Sequence, residues 1–374
     1  MKYYLITGEA SGDLHGSNLM KALKVADPSA EFRFFGGNLM KVQGGTLLKH
    51  YRDMAFMGLD VILNIRTILK NMKFCKQDIL EWKPDVLILI DYPGFNLRIA
   101  EFAKKKGLKV FYYISPKVWA WRESRVKKIR KFVDKLFVIF PFEIDYYKKF
   151  NIDVDYFGNP LNDSIADFKK RKLDFRAFAG FNSLDDRPVI ALLAGSRKHE
   201  IERCLPEMMK AIKNFRNYQL VVAGAPGISK ELYEKIINGY DVKVVYNQTY
   251  NLVSNAAAAV VTSGTATLET ALLKTPQVVI FKTGFITYYV GIHLVDIRFF
   301  SLVNLIMNKE VVKELLQHNL ANDIHKEITR ILDDRAYRQQ MLKEYDEIEK
   351  KLGGSGVAER IANKMIQYLR ETQN

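Results

Sequence analysis

The sequence predicts two doubly wound, Rossmann-like α/β domains facing a cleft. Three observations carry this. Short apolar runs such as Val86–Ile90 and Val189–Leu193 alternate with helical patterns, the rhythm of a parallel sheet covered by helices on both faces. The rhythm comes in two series, interrupted by a polar, charged stretch after Asn162. A chain of 374 residues with 48% hydrophobic content can fill two cores. The expected division is a first domain over 1–165, a linker over 166–187, a second domain over 188–352, and a C-terminal helix over 353–374 that can pack back on the first domain.

Two cysteines, Cys75 and Cys204, supply neither a disulfide framework nor metal-ligand spacing. The apolar run Tyr3–Thr7 is too short for a signal-peptide core, and no stretch reaches the ~20 apolar residues of a membrane span. The expectation is a cytoplasmic protein without an integral anchor. A net charge of +15 calls for an anionic partner. Zinc-finger spacing, RNP motifs and RGG tracts are missing, so nucleic acid is not expected.

In chain order, Lys2–Thr7 is a buried strand, followed by a turn over Gly8–Asp13 and a helix over Leu14–Lys24. The turn is not GxGxxG, which argues against a dinucleotide. Gly8, Glu9, Ser11 and Asp13 stand at the sheet's carboxyl edge, where α/β folds bind ligands. Phe32–Phe35 is the second strand. Val86–Ile90 ends at Asp91, an acid placed either for chemistry or to cap the following helix, Asn96–Lys105. Val110–Ile114 is a strand, and a helix over Val118–Val133 carries six basic residues between Arg122 and Lys131. Strands at Lys135–Phe140 and Val154–Phe157 complete this half. Asp153-Val154-Asp155 fits a DxD pattern, but no further ligand lies near it in sequence; no metal is expected.

In the second half, Val189–Leu193 leads into Ala194-Gly195-Ser196-Arg197 and a helix over Glu200–Phe215. Gln219–Ala223 and Lys243–Tyr246 are strands. Ala259–Thr262 runs into Ser263-Gly264-Thr265 and a helix to Leu273. A strand, a small-residue turn and a helix N-terminus present unpaired N–H groups to an anion. Glu269 stands in what reads as the first turn, either to receive ribose hydroxyls or only to complement the helix dipole. Together Gly195, Ser196, Arg197, Ser263, Gly264 and Thr265 suit a diphosphate bound without a metal. Gln277–Phe281 is a strand, Asn304 precedes a helix over Lys309–Gln317, and Asp323–Leu352 is one long helix before the Gly353–Gly356 break and a final helix over Val357–Leu369.

These motifs in series resemble the lipid-A-disaccharide synthases. GEASGD at Gly8–Asp13, Phe56-Met57-Gly58, Lys83-Pro84-Asp85, Ser115-Pro116 with Trp119-Ala120-Trp121-Arg122, Pro141-Phe142-Glu143, Gly195-Ser196-Arg197, Ser263–Glu269, Asn304 and Lys313–Gln317 are similar to that family in order. Three positions depart from it: Ala194 for proline, Asn159 for histidine, and Gly94 where an acid is common. The resemblance implies a GT-B type, inverting glycosyltransferase that needs no cofactor and no metal. The donor would be UDP-2,3-diacylglucosamine and the acceptor 2,3-diacylglucosamine 1-phosphate. The products would be the β-1,6-linked disaccharide 1-phosphate and UDP, made peripherally at the anionic cytoplasmic face of the inner membrane. Asp91 is the expected base, with Arg197 stabilising the leaving group. Gly195, Ser196, Arg197, Ser263, Gly264, Thr265, Glu269 and Asn304 would hold UDP; Gly8, Glu9, Ser11, Asp13 and Asn96 would face the acceptor. A UDP-sugar epimerase of the same fold and a non-enzymatic, membrane-bound UDP-sugar-binding module are the rival readings.

The segment from Met54 to Lys76 supplies a membrane expectation. Ile62, Ile65, Leu69 and Met72 recur at helical spacing, with Arg66, Lys70 and Lys73 alongside and no acid from Val61 to Gln77. Ile62, Ile65 and Leu69 are expected inward; Met54, Phe56, Met57, Ile68 and Met72 are expected partly exposed, to contact membrane or acyl chains.

Overall fold

A computed structural model describes residues 1–54, 64–116, 124–282 and 298–371. The chain divides into two compact units, one formed by Met1–Asp163 with Gly353–Asn374 and the other by Ser164–Leu352. Phe56, Met57, Gly58, Ile62 and Trp119–Arg122 lie outside the described residues.

In the first unit, strands β1 (Lys2–Ile6), β2 (Glu31–Gly36), β3 (Thr46–His50), β4 (Val86–Ile90), β5 (Lys109–Tyr113), β6 (Lys135–Val138) and β7 (Asp155–Tyr156) form a parallel sheet in the order β3-β2-β1-β4-β5-β6-β7. Its helices are α1 (Ala10–Ala26), α2 (Asn38–Val42), α3 (Ile65–Trp82), α4 (Pro93–Lys105), α5 (Ser124–Phe132) and α6 (Phe142–Lys148). β4 is buried along its whole length because helices cover both faces. One core layer joins Met72, Cys75 and Ile79 of α3 to Tyr4, Leu87 and Tyr112 of the sheet. The opposite layer takes Val357, Ile361, Met365 and Leu369 of the C-terminal helix onto Tyr3, Leu5 and Ile88. That helix therefore belongs to the first unit's core, although it follows the whole second unit in sequence.

In the second unit, α7 (Leu161–Lys169) ends just past the boundary and α8 (Phe175–Asn182) follows. The expected linker is thus largely helical and part of this unit; Phe178 is fully buried in it. Strands β8 (Val189–Leu193), β9 (Gln219–Gly224), β10 (Val242–Tyr246), β11 (Ala256–Thr262), β12 (Gln277–Phe281) and β13 (Glu314–Leu316) form a parallel sheet in the order β10-β9-β8-β11-β12-β13. The helices are α9 (Lys198–Ile212), α10 (Lys230–Ile237), α11 (Thr249–Ser254), α12 (Thr265–Leu272), α13 (Leu302–Met307), α14 (Leu320–Asp333) and α15 (Arg335–Lys351); α16 (Val357–Arg370) is the helix returned to the first unit.

Several expectations need correction. α1 starts at Ala10, so Ser11 and Asp13 sit in its first turn rather than in a loop. α4 starts at Pro93, where the ring's fixed φ suits the first helical turn. The helix expected over Lys309–Gln317 is instead strand β13, paired to β12. Asn304 lies inside α13 rather than before a helix. The long helix expected from Asp323 is two helices, divided where the Asp334 carboxylate accepts from Tyr337 N at 2.9 Å.

The largest correction concerns α3. Met72 (6% exposed) and Met54 (1%) are core residues, whereas Ile65 (42%) and Leu69 (52%) face outward. The apolar stripe read from the sequence is crossed by a second one, Met72–Cys75–Ile79, and the sheet selects the latter. Ile68 is half-buried; Arg66, Lys70 and Lys73 are exposed.

Candidate active site

In each sheet, the strand order reverses once between neighbours whose connections run to opposite sides. That switch point lies between β1 and β4 in the first unit and between β8 and β11 in the second. The crevice beyond the strands' carboxyl ends is where doubly wound sheets bind ligands. The residues following these four strands are Thr7–Glu9, Asp91–Tyr92, Ala194–Arg197 and Ser263–Thr265.

At the first switch point, Asp91 and Tyr92 both adopt left-handed backbone, at φ 45° and 48°. Two consecutive non-glycine residues there are strained and persist only when held. Asn96 and Tyr112 hold them: Asn96 Nδ2 donates to the Asp91 carbonyl at 2.7 Å and Tyr112 Oη donates to the same oxygen at 2.6 Å. Asn96 Nδ2 also reaches the Ile6 and Ile90 carbonyls at 3.3 Å, tying β1 to β4. Asn96 is fully buried, so it supports this edge rather than facing an acceptor. Asp13 is likewise internal: its carboxylate accepts from Gly37, Leu39 and Met40 amides at 2.8–3.1 Å, capping α2. Gly8 admits the Tyr92 ring, which a Cβ would meet at 2.4 Å. Burial of Tyr92, with the Glu9 carboxylate adding to it, pushes the phenol up to about 12. Glu9 is half-buried, Ser11 exposed and Asp91 half-buried. Glu9 and Asp91 thus both keep part of their surface in solvent beside this switch point.

At the second switch point, Gly195 takes φ 111°, a left-handed turn that favours glycine. Ser196 and Arg197 follow, and Arg197 precedes α9. The amides of Ser196 and Arg197 donate to Glu200 Oε2 at 3.0 and 3.2 Å, and Arg197 Nη1 donates to Glu200 Oε1 at 3.1 Å. Across the crevice, Ser263 Oγ donates to the Phe300 carbonyl at 2.8 Å. Thr265 is exposed at the start of α12. Glu269 is the fifth residue of that helix, past its first turn, so it is poorly placed to complement the dipole. Its Oε1 accepts from Tyr250 Oη at 2.7 Å. Burial raises the Glu269 pKa, with the Tyr250 bond opposing.

Tyr250 belongs to α11, a helix the sequence pattern did not reveal. Its ring meets Phe168 edge-on at 5.4 Å. Between Phe168, Arg171 and the Asn247–Asn251 segment lies a cavity of about 490 Å³, within the range of small-ligand sites. Asn247 stands at φ 57°, a left-handed turn immediately after β10 and the one sequence-level signal of this site.

The Asn304 side chain, expected at UDP, is bonded inside the fold. It is fully buried; its Nδ2 donates to Val312 O (2.9 Å) and Glu314 Oε1 (2.8 Å), and its Oδ1 accepts from Val311 N (2.7 Å) and Val312 N (3.0 Å). Glu314, quoted in the Lys313–Gln317 motif without a role, also accepts from Phe300 N and Ser301 N at 2.9 Å. Together these two residues fix the segment that receives the Ser263 hydroxyl. Among the described residues no group of three or more His, Cys, Asp or Glu side chains could hold a metal ion.

The family model for lipid-A-disaccharide synthetase matches residues 3–365. The lipid-A-disaccharide synthase of Syntrophus aciditrophicus is 40% identical, with 98% of each chain covered. That of Myxococcus xanthus is 38% identical, covering 98% of this chain and 97% of the relative. Among solved structures, UDP-GlcNAc 2-epimerase of Methanocaldococcus jannaschii in complex with UDP-GlcNAc and UDP aligns with a TM-score of 0.68 at 15% identity, over 98% of this chain and 100% of that one. The S. aureus MnaA–UDP co-structure aligns with a TM-score of 0.68 at 15% identity, over 99% and 97%. The structural likeness establishes the two-Rossmann, GT-B type fold, and the match along nearly the whole sequence establishes the rest: this chain belongs to the lipid-A-disaccharide synthase family.

Proposed function

We propose that this glycosyltransferase moves 2,3-diacylglucosamine from its UDP donor to 2,3-diacylglucosamine 1-phosphate, forming the β-1,6-linked disaccharide 1-phosphate of lipid A biosynthesis and UDP. The observation that carries the reading is the family match over residues 3–365. Epimerases share the fold, but at 15% identity, against 40% and 38% for the synthases.

Inversion requires a base for the acceptor hydroxyl and charge stabilisation for departing UDP. We assign the base to Asp91, whose backbone is clamped at the first switch point, and place Glu9 beside the acceptor. Gly195–Arg197 and Ser263–Thr265 flank the second switch point and suit the diphosphate. The cavity beside Tyr250 suits the nucleoside, with Glu269 offered to its ribose. The deciding experiment measures UDP release with and without the diacylglucosamine phosphate acceptor. Acceptor-dependent release supports the transferase; release or epimerisation of a non-lipid UDP-sugar without acceptor refutes it.

We further propose that α3 meets an anionic membrane at the cytoplasmic face of the inner membrane. Ile65 and Leu69 lie one turn apart and exposed, with Arg66, Lys70 and Lys73 around them. Cations near such a surface add about 1 kcal/mol each. Lys127, Lys128, Arg130 and Lys131 of α5, which packs on the same core layer as α3, are exposed as well. No described helix is long and apolar enough to cross a membrane. Ile65→Ser with Leu69→Ser should reduce cosedimentation with anionic vesicles at low salt while leaving the melting temperature unchanged; unaltered pelleting would remove α3 from the contact.

A further inference from the structure

The donors that suit the diphosphate are already engaged by an anion of the protein's own. Glu200 lies three residues after Arg197, in the first turn of α9. Its two oxygens take the amides of Ser196 and Arg197 and the Arg197 guanidinium, all at 3.0–3.2 Å. A carboxylate held by two N–H groups and a guanidinium at a helix N-terminus reproduces the contacts one phosphate group would make. The Glu200 side chain is only 19% exposed while the Arg197 side chain is 45% exposed, so an incoming anion reaches Arg197 first. A Cβ on Gly195 would meet Glu200 Oε2 at 2.6 Å and its Cβ at 2.7 Å, so turn and carboxylate pack as one unit. At the facing turn, nothing among the described residues lies within 4 Å of a Cβ built on Gly264.

We propose that Glu200 is an internal stand-in for the nucleoside diphosphate, holding Arg197 and the Ser196–Arg197 turn ready in the empty enzyme and yielding these donors when the nucleotide arrives. The proposal rests on reading this turn as the diphosphate site. Two anions cannot use the same N–H groups, and a carboxylate left beside a bound diphosphate repels it. Either way, the charge at position 200 opposes binding. It also favours release of UDP after transfer, because the carboxylate recaptures the donors as the product leaves. Apparent affinity falls by the fraction of molecules in which the contact is open.

The test is calorimetric titration of UDP, and separately of inorganic pyrophosphate, into the full-length parent, Glu200→Gln, Arg197→Ala and the double variant. Glu200→Gln is expected to tighten both ligands by about tenfold, and to slow UDP dissociation in stopped flow. With Arg197→Ala in the background the gain shrinks, because half of the internal contact is already gone. Unchanged or weakened binding in Glu200→Gln overturns the proposal and leaves Glu200 a helix cap. If Arg197→Ala binds UDP as the parent does, the diphosphate reading itself falls, whatever Glu200→Gln does. Glu200→Asp keeps a carboxylate suited to a helix start but withdraws it by one methylene, so it serves if the glutamine variant does not fold. It too should bind both ligands more tightly than the parent, and failure to do so counts against the proposal.

Discussion

At the end of β4, the first sheet holds a strained turn with neutral donors, Asn96 Nδ2 and Tyr112 Oη, both aimed at one carbonyl. At the end of β8, the second sheet holds its turn with a carboxylate, Glu200, aimed at amides. The difference follows from what each edge must offer. A clamp on a carbonyl fixes the backbone of Asp91, which suits a group that must be held in place to take a proton. A clamp on amides spends the donors an anion would want, which suits a site that must also let its product go. The supporting residues are as buried as core leucines, so similarity of motif does not by itself separate them from ligand contacts. Asn96, Asp13 and Asn304 are all buried with side chains bonded inside the fold.

Four measurements would break or sharpen this comparison. Asp91→Asn should cut turnover by about 10²–10⁴, with UDP affinity kept. Loss of UDP binding would instead make Asp91 structural, and the two edges would no longer divide base from leaving group. Asn304→Ala removes a buried amide, leaves Val311 N and Val312 N without their acceptor, and takes one donor from Glu314. Thermal or denaturant unfolding should then register a loss of roughly 2–4 kcal/mol, and an unaltered midpoint would contradict the support role.

Acid sensitivity offers a third test, confined to the first unit. His15 is 8% exposed, its Nδ1 lacks a partner, and burial lowers its pKa to about 4. The unfolded chain takes up this proton near pH 6.5 and the folded one only near 4, so stability is full above pH 6.5 and declines as the pH falls toward 4. At pH 5 the loss attributable to His15 is about 2 kcal/mol. His15→Gln should flatten the fall in melting temperature between pH 7.5 and 5; an identical fall would assign the sensitivity elsewhere. The smallest expected effect is Tyr250→Phe. It frees Glu269 from its internal bond, and UDP affinity should change by less than about tenfold, whereas Glu269→Ala should weaken UDP more than inorganic phosphate. Equal weakening of both ligands would move the ribose contact away from Glu269.

The sequence by itself determined the two parallel sheets, because strands buried on both faces must be continuous apolar runs, and it located both switch-point turns through their small residues and acids. The ordered motifs also determined the family. Tertiary structure decided what periodicity leaves degenerate. Two overlapping apolar stripes run along α3, and only the position of the sheet chooses Met72 and Ile79 over Ile65 and Leu69. The short β13 carries too few residues to show a period, and its pairing with β12 turns a helical pattern into a strand. Asn304 and Glu200 are polar residues beside a site in sequence. Whether each meets a ligand or the backbone depends on hydrogen-bond geometry that no spacing encodes.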